Sequence, residues 1–139
     1  MREENKKLVQ RYYDDLWNRW DYPLIDEMIS ENFVFRGSIG LATRGRAEFK
    51  GYMDTIRAAF PDFLNTVEEL IAEANKVAAI LTYTGTHRGE IFGVAPTGRR
   101  IRYAGTAVFQ IEAGQMVSGW VLGDRLGLLQ ELGMSYPSI

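Results

Sequence analysis

A single carboxylate, Asp124, stands between two apolar runs in the stretch "WVLGDRLGLLQELG" at 120–133. Two roles suit it. Asp is a favoured helix N-cap, because its oxygen accepts a hydrogen bond from an otherwise unpaired N–H of the first turn. A carboxylate in an apolar pocket is also a good acid/base for removing a proton next to a carbonyl, since desolvation moves its pKa toward working pH. Capping works against that tuning, because backbone N–H groups and the helix dipole favour the ionised form. The local sequence leaves both readings open.

His87 is the chain's one histidine and precedes "RGEIFG" at the end of an apolar, β-branched run. It is read either as a second acid/base or as a residue that ties down the following loop. Aromatic side chains supply candidate walls for a pocket. Tyr13 and Trp17, four residues apart, share one helix face, with Tyr12 offset to the side. Tyr52 and Phe60 lie on a later helix, and Phe35 and Tyr83 on strands. Each taken singly reads as core; several around one acid would make a ligand cavity. Strand alternation puts Met116, Ser118, Trp120, Leu122 and Asp124 on one face, so Trp120 is expected to line the space that Asp124 faces. Gln110 is the nearest candidate for a second polar pocket residue. Arg36 could hold a carboxylate or enolate oxygen, or simply reach solvent. "GVAPTG" at 93–98 is not a phosphate loop, since no Lys-Ser/Thr follows.

The elements that must carry these residues follow from periodicity. Apolar positions predict helices over 3–20, from about Asp21 with Pro23 in the first turn, over 46–60 ahead of Pro61, and over 125–133. Strands are expected at 32–37, 63–74, 76–90, 100–112 and 116–123, with a tight turn at "AGQ" (113–115). The segment 63–74 is ambiguous, because its Glu-rich end would also suit a helix. Helices followed by a mostly antiparallel sheet argue for an α+β domain in which helices cover one face of a curved sheet.

Composition narrows the function. The 139 residues suit one domain, 1–139. The absence of cysteine excludes disulfides, thiolate catalysis and Cys-ligated metals, and one histidine excludes a multi-His metal site within one chain. The net charge of −2, without a basic stripe, argues against nucleic acid. No apolar run approaches a membrane span, and "MREENKKLVQ" lacks the apolar centre of a signal peptide. The expectation is a soluble, cytoplasmic protein with a small-molecule ligand.

"GTHRGEIFGVAPTGRRI", "FQIEAGQMVSGW" and "DRLGLLQELG", together with "LVQRYYDDLWNRWD" and "FPDF", resemble the SnoaL-like polyketide cyclase (ester cyclase) family of the NTF2-like superfamily. The resemblance implies a cone of one curved, mostly antiparallel sheet wrapped around three to four helices, and a homodimer formed through the sheet. It implies intramolecular aldol condensation without cofactor or metal, with the acid at position 124 as acid/base. On this reading Asp124 and His87 are the catalytic candidates, and Tyr13, Trp17, Phe35, Tyr52, Phe60, Tyr83, Gln110 and Trp120 the substrate-binding ones. The superfamily also holds hydrolases, isomerases and non-catalytic binders, so an epoxide-hydrolase-like reaction using Arg36 or Arg102, or simple ligand binding, stands as the alternative.

Overall fold

The structure is a computed structural model that describes residues 2–134. Four helices and six strands run α1 (Arg2–Arg11), α2 (Leu24–Met28), β1 (Ile29–Arg36), β2 (Ala42–Arg44), α3 (Gly45–Ala59), β3 (Leu64–Glu73), β4 (Lys76–Thr86), β5 (Arg100–Glu112), β6 (Gln115–Gly123) and α4 (Arg125–Glu131). The strands form one curved, unclosed sheet in the order β2-β1-β6-β5-β4-β3. Only the β1–β6 pairing is parallel; the other four are antiparallel.

The ambiguous segment at 63–74 is a strand: β3 pairs with β4 from Leu64↔Thr84 to Glu73↔Lys76. The stretch read as a loop after β1 contains the short strand β2. The turn between β5 and β6 uses left-handed backbone at both Ala113 and Gly114. α3 buries Phe49, Tyr52, Met53, Ile56 and Ala59 along one stripe, the spacing of an amphipathic helix. Its N-terminus is closed by Glu48, whose Oε1 accepts the Arg44 N–H at 3.0 Å.

α1 does not continue to Trp20 as a regular helix. It passes into a π-helical turn over Tyr12–Trp17, closed by the Asn18 N–H on the Tyr13 carbonyl. The wider turn rotates the side chains, so Tyr12, Tyr13, Leu16 and Trp17 are all buried. Tyr12, expected off to one side, therefore faces the interior with Tyr13.

A bulge in β6 alters which side chains face inward. Gln110 pairs with Ser118 and Ile111 with Met116, so Val117 is the extra residue. The alternation slips by one at this point. Met116 is buried, but beyond the bulge Gly119 and Val121 are the buried residues. Trp120 and Leu122 face outward, 50 % and 53 % exposed. The expectation that Trp120 lines the interior is corrected accordingly. Gln110 lies on the same outer face, opposite Ser118, and bonds Glu112 at 3.3 Å. The inward residues of β5 are Ile101, Tyr103, Gly105, Ala107, Phe109 and Ile111.

Candidate functional site

The helices press an aromatic layer against the concave face of the sheet. Tyr13 and Trp17 come from the π turn, Phe35 from β1, Tyr52 and Ile56 from α3, and Tyr83 from β4. With Tyr12, Phe63 and Val121 they surround a small chamber into which two polar side chains also face, Ser38 and Asn65. Five residues expected to line a pocket from sequence, Tyr13, Trp17, Phe35, Tyr52 and Tyr83, are thus brought together. Phe60 is fully buried but stands behind this wall, packed on Phe63 and on His87 with ring centroids 6.0 and 5.8 Å away. Gln110 and Trp120 are outside.

The chamber encloses about 20 Å³, room for roughly one water molecule. Its chemistry is that of neutral donors. Burial pushes the phenols of Tyr12, Tyr13, Tyr52, Tyr83 and Tyr103 above the usual tyrosine value, because a phenolate would lose its hydration. All five remain protonated at ordinary pH and offer O–H groups. Tyr103 pairs with the Ser38 hydroxyl at 2.9 Å. At Tyr52 the effect of burial is opposed by the Ser38 hydroxyl, the Ile39 and Ser38 amides and the charge of Arg36, all of which favour negative charge on its oxygen. Tyr52 reaches this place because residue 37 is glycine: a Cβ there would stand 2.1 Å from Tyr52 Cζ. Asn65 is held by Asn18, whose Oδ1 accepts both the Asn65 N–H at 2.8 Å and its side-chain amide at 3.1 Å.

Sequence reasoning missed Ser38, Asn65, Tyr12 and Tyr103. Tyr103 carries a signal that could have found it, since it alternates with Ile101 and Phe109 along β5. Ser38 carries none, because it sits in an irregular loop.

Asp124 lies one residue beyond β6, exposed to solvent. Its Oδ1 accepts the Gly127 N–H at 2.9 Å, which makes it the N-cap of α4. Its neighbour Gly123 abuts the chamber wall: a Cβ there would stand 2.6 Å from the Ser38 carbonyl oxygen. The carboxylate therefore sits at the rim of the cone, with the loop that carries Ser38 between that strand end and the chamber. The expectation that it faces an enclosed apolar space is corrected by this placement.

His87 is fully buried and lines no part of the chamber. Its Nδ1 accepts the Thr97 N–H at 3.2 Å and lies 3.0 Å from the Thr97 hydroxyl. Its own N–H bonds the Arg99 carbonyl, and its carbonyl accepts the Gly98 N–H. These bonds close the β4–β5 loop, the tying role. An accepting Nδ1 leaves the proton on Nε2, which has no hydrogen-bond partner among the described residues. Arg36 donates to the Val121 carbonyl and lies over the Trp120 ring, 5.5 Å from its centroid. Arg102 is exposed, its backbone N–H bonded to Glu131. Neither arginine forms an ion pair with Asp124 among the described residues. Among the described residues no group of three or more His, Cys, Asp or Glu side chains is placed to hold a metal, and no helix is long and apolar enough to cross a membrane.

The profile of the SnoaL-like polyketide cyclases matches residues 7–132. The chain belongs to this family. Solved structures share its fold. AclR from Streptomyces galilaeus, a candidate hydroxylase, is 31% identical over 100% of this chain and 90% of its own, with a TM-score of 0.84. IdmH from Streptomyces antibioticus, a candidate polyketide cyclase, is 27% identical over 94% of this chain and 99% of its own, with a TM-score of 0.81. A candidate SnoaL-like cyclase from Jannaschia sp. CCS1 is 20% identical over 97% and 95%, with a TM-score of 0.88, a likeness of fold. No curated protein matches the chain in sequence. Relatives named for cyclisation and for hydroxylation share one SnoaL-like scaffold, so the reaction must be argued from the site.

Proposed function

We propose that this SnoaL-like protein is a cofactor-independent, cytoplasmic enzyme that closes a ring by intramolecular aldol condensation of a small, apolar, oxygenated substrate of polyketide type. The observation that carries the reading is the set of protonated hydroxyls, Tyr52, Tyr103 and Ser38, held within an aromatic core. Polar groups buried there cost stability unless paired, and an all-apolar core would avoid that. As donors they suit a carbonyl oxygen that turns into an alkoxide.

The base takes a proton from the carbon next to one carbonyl. That carbon's electron pair forms the new C–C bond to a second carbonyl carbon, whose π pair moves onto its oxygen. The oxygen then takes a proton, so the ring closes with no oxidant or reductant. In this proposal Asp124 is the base, turned off Gly127 from the rim toward the chamber, and Tyr52 and Tyr103 donate to the two oxygens. A guest larger than the chamber displaces Ser38 and its loop.

Turnover of a diketo ester that can undergo aldol closure tests the reading. Asp124→Asn is expected to lower turnover about a hundredfold or more, the scale of a lost general base, while Asn still caps α4. Full turnover in that variant sinks the assignment. The exposed, capping position of Asp124 favours a second reading, a ligand-binding protein without catalysis. It predicts no turnover in the parent protein and the same ligand affinity in Asp124→Asn.

We further propose that two copies associate through the outer face of the sheet, where Val108, Trp120 and Leu122 are exposed on neighbouring strands.

A further inference from the structure

Two guanidinium groups converge on one point at the rim of the cone. A methyl-sized group at the Gly40 Cβ position would lie 3.6 Å from Arg125 Nη1 and 3.8 Å from Arg36 Nη2. The two arginines arrive from different elements, β1 and α4, and each is held by its surroundings. Arg36 is bonded to the Val121 carbonyl and lies over Trp120. Arg125 donates to the Ile39 carbonyl at 3.4 Å and lies over Phe92, 4.6 Å from the ring centroid. Neither forms an ion pair among the described residues, whereas the other ion pairs there engage Lys6, Arg11, Arg19, Arg46, Lys50 and Arg100.

Two like charges fixed near one spot repel each other, and an anion between them removes that cost. The neighbouring surface says which anion. Beside Gly40 and Arg125 runs a cleft of about 340 Å³ walled by Ile39, Leu41, Ile91 and Phe92, the size of a small-molecule site. Its walls suit a hydrocarbon or aromatic body. Glu90 lines the same cleft, and its charge disfavours a dianion such as phosphate more than a singly charged group. Arginine forks match carboxylate geometry.

We propose that Arg36 and Arg125 form a clamp at Gly40 for the carboxylate of an apolar or aromatic organic acid, which makes the substrate of this protein an acid at the end that stays at the rim. The inference rests on the cyclase reading for the chemistry that follows binding, and the carboxylate lies away from the carbons that join. The clamp separates a free acid from its neutral ester: the acid neutralises both guanidiniums, and the ester leaves them unpaired.

The test is a titration of the ¹⁵N-labelled full chain with 2-naphthoate, its methyl ester, and inorganic phosphate, read at the Gly40 amide and the Arg125 Nε–H. Naphthoate is expected to shift both signals and to bind about tenfold more tightly than the ester, the scale of one charge-assisted hydrogen bond. Added salt weakens the acid and leaves the ester unchanged. Arg125→Gln, at an exposed position, loses about the same tenfold for the acid alone. Arg36→Gln does likewise, and Arg125→Gln keeps the inference testable if that variant fails to fold.

Equal affinity for acid and ester, phosphate bound as tightly as naphthoate, or wild-type affinity in Arg125→Gln overturns the clamp. Shifts confined to the chamber tyrosines overturn it too, yet leave the cyclase reading standing. A working clamp in a protein that turns over no aldol substrate upholds this inference and removes the cyclase reading instead.

Discussion

The Asp124 carboxylate accepts the Gly127 amide at 2.9 Å, and a Cβ on residue 127 would stand 2.3 Å from Asp124 Oδ2. The pair is built for capping. Asp124→Ala is expected to destabilise the protein by about 1 kcal/mol, whereas Asp124→Asn keeps most of the cap. Chemical denaturation of both variants measures this. Equal stability of Ala and Asn would show that the cap contributes nothing.

Ser38 and Tyr103 share a buried hydrogen bond at 2.9 Å. Tyr103→Phe and Ser38→Ala should each cost about 1 kcal/mol. The double variant should cost clearly less than both together, because the same bond is lost in each. Unfolding free energies from the full cycle check it; simple additivity would mean that the two hydroxyls do not act on each other.

Trp120 stands 50 % exposed on the outer face of the sheet, near Val108 and Leu122. Trp120→Glu is expected to weaken self-association by about 2 kcal/mol or more, the scale of a central aromatic in an interface. Sedimentation across a concentration series reads the effect. A parent protein that stays monomeric throughout would dispose of the association.

Asp62 accepts the Thr86 N–H at 2.6 Å and its hydroxyl at 2.7 Å. Burial opposes its charge, but these bonds outweigh it and hold its carboxyl below the ordinary 3.8. The unfolded chain therefore binds the proton more readily. The stability this carboxylate contributes is complete above the unfolded value and is lost as pH falls through the lower folded one. Asp62→Asn should show a shallower loss of stability than the parent protein below about pH 4. Urea midpoints between pH 2 and 6, taken with both proteins, measure the slopes.

How far the site could be read in advance depended on how local each signal was. Tyr13, Trp17, Phe35, Tyr52 and Tyr83 were legible because helix and strand periodicity points each one inward. Gln110 was taken as the nearest match to a polar pocket residue of the family, although alternation along β5 with Phe109 and Ile111 turns it outward. Trp120 was misplaced for a different reason. Alternation along β6 holds only while the strand pairs residue for residue, and the extra residue Val117 is defined by its pairing with β5. Ser38 was invisible because its burial comes from an irregular loop folding over the chamber.

Motifs in the sequence carried the likeness to the family, and spacing along the chain determined the helices, five of the six strands and the aromatic character of the interior, but not β2 or the π-helical turn. Tertiary structure decided which way Asp124 and Trp120 face, how little space the aromatics leave between them, and that Arg36 and Arg125 meet at Gly40. Those outcomes depend on pairing register and on packing between segments far apart in sequence, quantities that no local pattern of residues encodes.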